Sequence, residues 1–506
     1  MTRPPAAGVV DVETTAGTLR GIASPRVTAL LGVPYAAPVS GAGRFLPPRP
    51  AEPWRGLRVA DAFGPGSPQV DPRLSAGEHY YRVLRLLYPG VPSPLEGRPS
   101  DEDSLVLNVW TPGADEARRP VMVWLHGGGF VHGTGAEGWF QGDRLAELGD
   151  VVVVTLNHRL GALGFLGAGE GEQSASGIAG MLDIVEALRW VRDNAAAVGG
   201  DPGNVTVFGQ SGGGGKVATL LAMPAAAGLF HRAIIQSGPF TRAIEPEHAA
   251  GVRAEFVAAL AAGGTTPETA PVSAVLEVQA DLVARHGMAA FGPTLHPLHL
   301  PAHPFDAAAP ALADGIPLMV GTTTHEFSLM LSEHAWYHSM SDEELPARLA
   351  AVFPDDATAA LEAYRELEGP DAPPQLLLAR ATSDIVFGAP SDALRSLKAT
   401  QSAPVYSYRF DYRTEVLGGI LGAHHSLDLP FVFANTDRSP VTGDRPVRHE
   451  VAARMALAWA SFARTGHPGI AGWAEFSSGA AQHVFAEVDV EESAAPRPRF
   501  RTEFGL

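Results

Sequence analysis

Short runs of apolar and β-branched residues alternate along the chain with longer stretches whose apolar positions recur three and four apart. The runs at 105–110, 121–125, 151–156, 205–208, 233–236, 318–321 and 405–410 have the length and content of core strands. The stretches at 178–197, 216–223, 247–261, 343–352 and 447–465 carry the helical period. Near the N-terminus, 9–13 and 18–22 flank Ala16-Gly17 and read as a hairpin. Strands that alternate with helices predict an α/β fold, a central mostly parallel sheet flanked by helices on both faces. Two segments, about 245–310 and 341–401, break the strand rhythm. They are expected to be helical insertions capping a pocket at the C-terminal edge of the sheet, where open α/β sheets place ligands. The Pro-rich stretches at 47–53, 89–99 and 370–374 are too brief to be linkers, so residues 1–506 read as one large domain.

Composition narrows the chemistry. With 506 residues, 45% of them hydrophobic, there is ample material for a core. A formal charge of −18 argues against nucleic acid and anionic membrane surfaces as partners. All 37 basic residues except Lys216 and Lys398 are arginines, and they are scattered rather than clustered. The absence of cysteine excludes disulfides, thiol nucleophiles and Cys-ligated metals. Residues 1–10 lack the apolar core of a signal peptide, and the longest apolar runs are strand-length, so a cytoplasmic location is expected.

The most informative segment is the run at 205–208 followed by Gly209-Gln210-Ser211-Gly212-Gly213, a G-x-S-x-G turn between a strand and a helical pattern. Such a turn holds its serine in a strained conformation that presents the hydroxyl above the sheet, with a helix N-terminus behind it. A serine nucleophile needs a base to take its proton and an acid to orient that base. On a strand–turn–helix scaffold the order is serine, acid, histidine. Glu326 lies on the loop leaving the 318–321 strand, and the Gly-rich segment 418–433 carries both His424 and His425. Asp428 is a rival acid, although it shares the loop of the base. His126-Gly127-Gly128-Gly129-Phe130 follows another strand and matches the loop type whose amides, with that of Gly212, bind an oxyanion.

Ordered blocks over nearly the whole chain carry a family resemblance. They include Glu102-Asp103-Ser104-Leu105-Val106-Leu107-Asn108-Val109, the loop at 126–130, Asn157-His158-Arg159-Leu160-Gly161 and 199–206 leading into the serine turn. Gln236-Ser237-Gly238, 321–326 and His425-Ser426-Leu427-Asp428-Leu429-Pro430-Phe431 follow. In these blocks the chain resembles the type-B carboxylesterases, which include cholinesterases and bacterial p-nitrobenzyl esterases, on the α/β-hydrolase fold. The resemblance implies Ser211 as nucleophile, Glu326 as orienting acid, and His425, rather than His424, as base. It implies Gly128, Gly129 and Gly212 as oxyanion donors, with Ser237 bonded to the acid. Arg44 with Glu102, and Arg159 with Asp183, match the family's structural ion pairs.

Four positions depart from the family pattern. Ser104 stands for a cysteine, Gln210 for the glutamate before the nucleophile, Phe327 for a glycine and His158 for a tyrosine. The neutral Gln210 argues against choline-type cation recognition. His296, His299 and His303 have metal-like spacing, but their Pro-punctuated loop has no carboxylate at ligand spacing, so neither metal nor cofactor is expected. Tyr80, Tyr81 and Trp139 are candidates for lining a substrate gorge or for packing. The expected activity is hydrolysis of small or medium uncharged esters through an acyl-serine, with Ser211 Oγ within hydrogen-bond reach of His425. The same groups would serve a carbamate, amide, thioester or lactone. Non-catalytic binding members of the family lose triad residues, whereas all three are present here.

Overall fold

The computed structural model describes residues 8–70, 78–87, 100–477 and 482–492. Its strands are β1 (Gly8–Thr14), β2 (Gly17–Ala23), β3 (Thr28–Pro34), β4 (Leu57–Val59), β5 (Val106–Thr111), β6 (Arg119–Leu125) and β7 (Val152–Leu156). They continue as β8 (Gly200–Gln210), β9 (Arg232–Gln236), β10 (Leu318–Thr323), β11 (Val405–Phe410), β12 (Gln482–Phe485) and β13 (Val490–Glu492). All lie in one sheet, in the order β1-β2-β3-β5-β7-β6-β8-β9-β10-β11-β12-β13, with β4 paired to β2. The segment from β7 through β12 is parallel. The β1–β2, β2–β3, β3–β5, β5–β7 and β12–β13 pairs are antiparallel, while β4 runs parallel to β2.

Successive side chains of a strand point to opposite faces, so a strand covered on both sides needs apolar residues at every position. β6 shows this directly. Val121, Val123 and Leu125 join one buried cluster with Val205, Val207 and the helix Ala179–Asn194. Met122 and Trp124 join another with Phe208, Ile234, Met319 and the helix Val447–Thr465. That double burial is why the central strands read as unbroken apolar runs.

Differences from the sequence expectation lie where local signals are weak. β3, β4, β12 and β13 were not anticipated, because β4 and β13 have three residues, β12 has four, and β3 carries Gly32 and Pro34. The helix after Ser211 begins at Gly212, four residues ahead of its apolar period. Each glycine disfavours helix by about 1 kcal/mol relative to alanine, so packing sets this start. The segment 245–310 holds the helices Pro246–Ala262 and Val272–His286. Segment 341–401 holds Leu345–Val352, Ala357–Glu368, Pro374–Ser383 and Ala389–Lys398, with a π-helical turn at Asp384–Gly388. Leu345, Leu349, Phe353, Tyr364 and Leu377 form a hydrophobic cluster of their own.

Two ion pairs tie loops to this frame. Arg44 Nε donates to Glu102 at 2.6 Å, while its Nη1 reaches the carbonyls of Pro267 and Ala270. Arg159 grips Asp183 at 2.8 and 2.6 Å with both groups buried, and its Nη1 donates to Leu46 O at 2.7 Å. Removing one partner of such a pair strands the other charge in the interior. Asp183→Ala is therefore expected to lower unfolding stability by about 3–5 kcal/mol, read as a fall in denaturant midpoint. Arg20→Ala, which breaks the exposed pair with Asp11, should leave that midpoint unchanged.

Candidate active site

Strand register brings the site together. Leu125 pairs with Gly209, Gln210 with Gln236, and Gln236 with Gly321, so β6, β8, β9 and β10 end side by side. The loops that leave them begin at His126, Ser211, Ser237 and Thr324. Ser211 has φ 57° and ψ −126°, a strained conformation for a residue with a side chain, costing about 1–3 kcal/mol. It is held from both sides: its N–H donates to Gln236 O at 2.8 Å, and its carbonyl accepts from Gly215 at 3.0 Å.

The glycines around Ser211 serve close approach. A Cβ at Gly213 would lie 2.0 Å from Leu125 O, and one at Gly209 would lie 2.5 Å from Gly213 C. One at Gly212 would lie 2.7 Å from the amide nitrogen of Gly129. The loop after β6 thus rests directly on the first turn of the helix Gly212–Leu220. Among the described residues, the amides of Gly128, Gly129 and Gly212 donate to no protein acceptor. Unfilled donors of this kind, beside a serine at a helix N-terminus, form a site for a developing negative charge.

Glu326 and His425 meet on the loops after β10 and β11. His425 Nδ1 donates to Glu326 Oε2 at 2.6 Å, and Glu326 Oε1 accepts from Thr323 N at 2.7 Å, with both side chains buried. The two loops are joined by their backbones as well, through His325 N to Ala423 O at 2.9 Å. Since Nδ1 carries the proton, Nε2 of His425 presents a lone pair. The Gln210 carboxamide Nε2 lies 3.1 Å from His425 Nε2 and 3.4 Å from its Nδ1, off the direction of that lone pair. Among the described residues no hydrogen bond links Ser211 Oγ to His425, contrary to the sequence expectation; the Gln210 amide lies against the imidazole instead.

Other candidates are placed differently. His424 is buried, donates from Nδ1 to His425 O at 2.7 Å, and is pushed by burial to a pKa of about 4. Asp428 accepts from Gln236 at 2.7 Å and Tyr408 at 3.3 Å, and burial raises its pKa to about 6. Ser237 does not bond the acid as expected. Among the described residues its buried Oγ has no partner, and Glu326 accepts instead from Thr323 N and His425.

Side chains that sequence reasoning missed complete the surroundings. The ring of Phe387, on the π-helical turn, packs 4.9 Å from that of His425. Met288, largely exposed, lies over the loop after β6, with Sδ 3.3 Å from the Cβ position of Gly129. Neither contact has a local sequence signature, since each comes from a distant helix. Phe327 donates its N–H to Ser383 Oγ at 2.9 Å, fixing the acid loop to the helix Pro374–Ser383. Behind that loop, buried Glu368 accepts from His325 and pairs with Arg380 and Arg413. Burial raises its pKa, but the His325 hydrogen bond and the two guanidiniums more than offset this, holding it well below the usual range.

His158 stacks on His126, ring centroids 4.9 Å apart, beneath the loop after β6. His296 stacks on His299 at 4.7 Å, whereas His303 bonds Glu245 and Arg242 at 3.1 and 2.8 Å. Among the described residues no group of three metal-ligating side chains comes together. Trp139 is buried in the sheet core. Tyr80 and Tyr81 lie on the helix Glu78–Leu87, their side chains outside the described part.

The carboxylesterase family profile matches residues 8–499. Para-nitrobenzyl esterase of Bacillus subtilis is 37% identical over 469 residues, covering 90% of each chain. Phenmedipham hydrolase of Pseudarthrobacter oxydans is 35% identical over 472 residues, again covering 90% of each. The solved structure of Geobacillus stearothermophilus carboxylesterase EST55 superposes with a TM-score of 0.78 at 36% identity, over 96% of this chain and 98% of that one. The α/β-hydrolase sheet, the esterase relatives and the family match agree: the chain belongs to the carboxylesterase family and is an enzyme that hydrolyses carboxylic esters.

Proposed function

We propose that Ser211, His425 and Glu326 form the catalytic triad of this esterase, with Gly128, Gly129 and Gly212 as its oxyanion donors. The observation that supports this reading is the 2.6 Å His425–Glu326 bond, which leaves Nε2 of His425 as the basic nitrogen. An entering ester brings its carbonyl carbon against Ser211. Ser211 Oγ then attacks the carbonyl carbon as its proton passes to His425 Nε2. The carbonyl oxygen becomes an oxyanion held by the three amides, and Glu326 stabilises the imidazolium. When the tetrahedral centre collapses, the bond to the alkoxy oxygen breaks, and that oxygen takes the proton from His425. Water attacks the acyl-serine by the same route and releases the acid.

The substrates of this reading are small or medium uncharged esters. Phe387 and Met288 flank the base and the oxyanion loop, and the residue before the nucleophile is a neutral amide rather than a carboxylate. The lack of cysteine, with buried Ser104 where the family pattern has one, suits a reducing cytoplasm.

Ser211→Ala is expected to lower kcat/KM for p-nitrophenyl acetate by at least about 10³-fold and to abolish fluorophosphonate labelling, with the far-UV spectrum unchanged. Retained hydrolysis in that variant removes Ser211 from the mechanism. Gly212→Ala places a Cβ against the Gly129 amide, and kcat should fall by about 10- to 100-fold with KM changed much less. A fully active Gly212→Ala enzyme would show that the loop yields at no catalytic expense.

A further inference from the structure

Lys216 is one of two lysines in the chain, and it sits on the elbow helix five residues beyond Ser211. It is fully buried. Among the described residues no carboxylate pairs with it, and its Nζ donates to the carbonyl of His126 at 2.7 Å. His126 opens the loop that carries Gly128 and Gly129, so the ammonium bonds that loop at its root. The Phe130 ring, at the far end of the same loop, lies with its centroid 5.5 Å from Nζ. A buried cation without a counter-ion is costly and persists where it serves the site rather than stability.

Two buried imidazoles feel the charge of Lys216. His126 Nδ1 donates to Gly127 O at 2.9 Å, and His158 Nδ1 to Arg159 O at 2.8 Å. Each ring is therefore in the tautomer that leaves Nε2 as an acceptor, and both Nε2 atoms are buried without a partner. Burial first, then the charge of Lys216, holds both imidazoles well below their ordinary pKa, so they stay neutral. His126 comes from the loop after β6 and His158 from the loop after β7. Arg159, paired with Asp183, is a further charge near His158.

We propose that Lys216 is a positioning residue for ester hydrolysis: bonded to the His126 carbonyl, its ammonium holds the Gly128–Gly129 amides toward Ser211 and sets a positive charge behind the oxyanion. This rests on the oxyanion-loop reading above. The charge is at the edge of loss, because burial lowers the Lys216 pKa to about 7. As pH rises through that value the charge disappears, and transition-state stabilisation falls with it. Stability moves the other way. The folded-state value is depressed below the unfolded value of about 10.4, so the penalty is complete below pH 7 and disappears between about pH 7 and 10.

The test uses Lys216→Met and wild type in parallel. In wild type, kcat/KM for p-nitrophenyl acetate should decline between pH 7 and 9. In Lys216→Met that decline is absent, kcat is lower by about 10- to 100-fold, and KM stays within about twofold. Affinity for a trifluoromethyl ketone, which forms an oxyanion on the serine, falls in step with kcat. The melting temperature at pH 6 is equal to or above that of wild type, since a buried charge has been removed. A variant with unchanged kcat, an alkaline decline that persists, or a melting temperature that falls in parallel with kcat overturns the proposal. Should Lys216→Met not fold, Lys216→Gln takes its place with the same expected outcomes, and a wild-type profile flat from pH 7 to 9 also overturns it. Ser211→Ala keeps the two readings apart: its retained activity would refute the triad itself, whereas a failed Lys216 result leaves the triad standing.

Discussion

Everything at the site depends on one backbone contact, that between the loop leaving β6 and the first turn of the elbow helix. With Leu125 O only 2.0 Å from the Cβ position of Gly213, and the Gly129 amide 2.7 Å from that of Gly212, the interface has no room for a methyl group. Four consecutive glycines, Gly212 to Gly215, are a poor start for a helix, and only the packing they allow stabilises it there. What the contact secures is proximity. The serine, the helix N-terminus and three free amides occupy one corner of the sheet because no side chains hold them apart.

The strain at Ser211 belongs to a wider pattern. Phe130, Ser237 and Ser426 also have positive φ without being glycine, and each lies in a loop that borders the site. Such conformations persist where the surroundings over-determine them. Here the determinants are interstrand: Ser211 N bonds Gln236 O, and Ser237 N bonds Gly321 O, so each loop is pinned to the end of the neighbouring strand. The parallel sheet sets the register, and the register sets the strained turns.

This explains what was legible in the sequence and what was not. The central strands were readable because burial on both faces makes them continuous apolar runs, and the loops holding Ser211, Glu326 and His425 follow those strands directly. Strands β3, β12 and β13 pair at or near the sheet's edges and left little local trace. The hydrogen-bond partners of the site were less readable still. That Thr323 N, not Ser237, bonds Glu326, and that the Gln210 amide lies against the His425 ring, are set by how distant segments meet in space. Phe387 reaches His425 from a π-helical turn, an irregularity that apolar periodicity cannot show.

The Glu368 cluster has a mechanical consequence. Glu368 ends a helix whose apolar face belongs to the separate cluster of Leu345, Leu349, Phe353 and Tyr364, while its carboxylate grips His325, the residue beside Glu326. Phe387 packs on the His425 ring from the same segment, 341–401. That segment is therefore a buttress whose footing differs from that of the wall it supports. The loops of Glu326 and His425 lean on a hydrophobic cluster separate from those that hold the sheet and the serine turn, and strain in either body reaches the site through these few contacts.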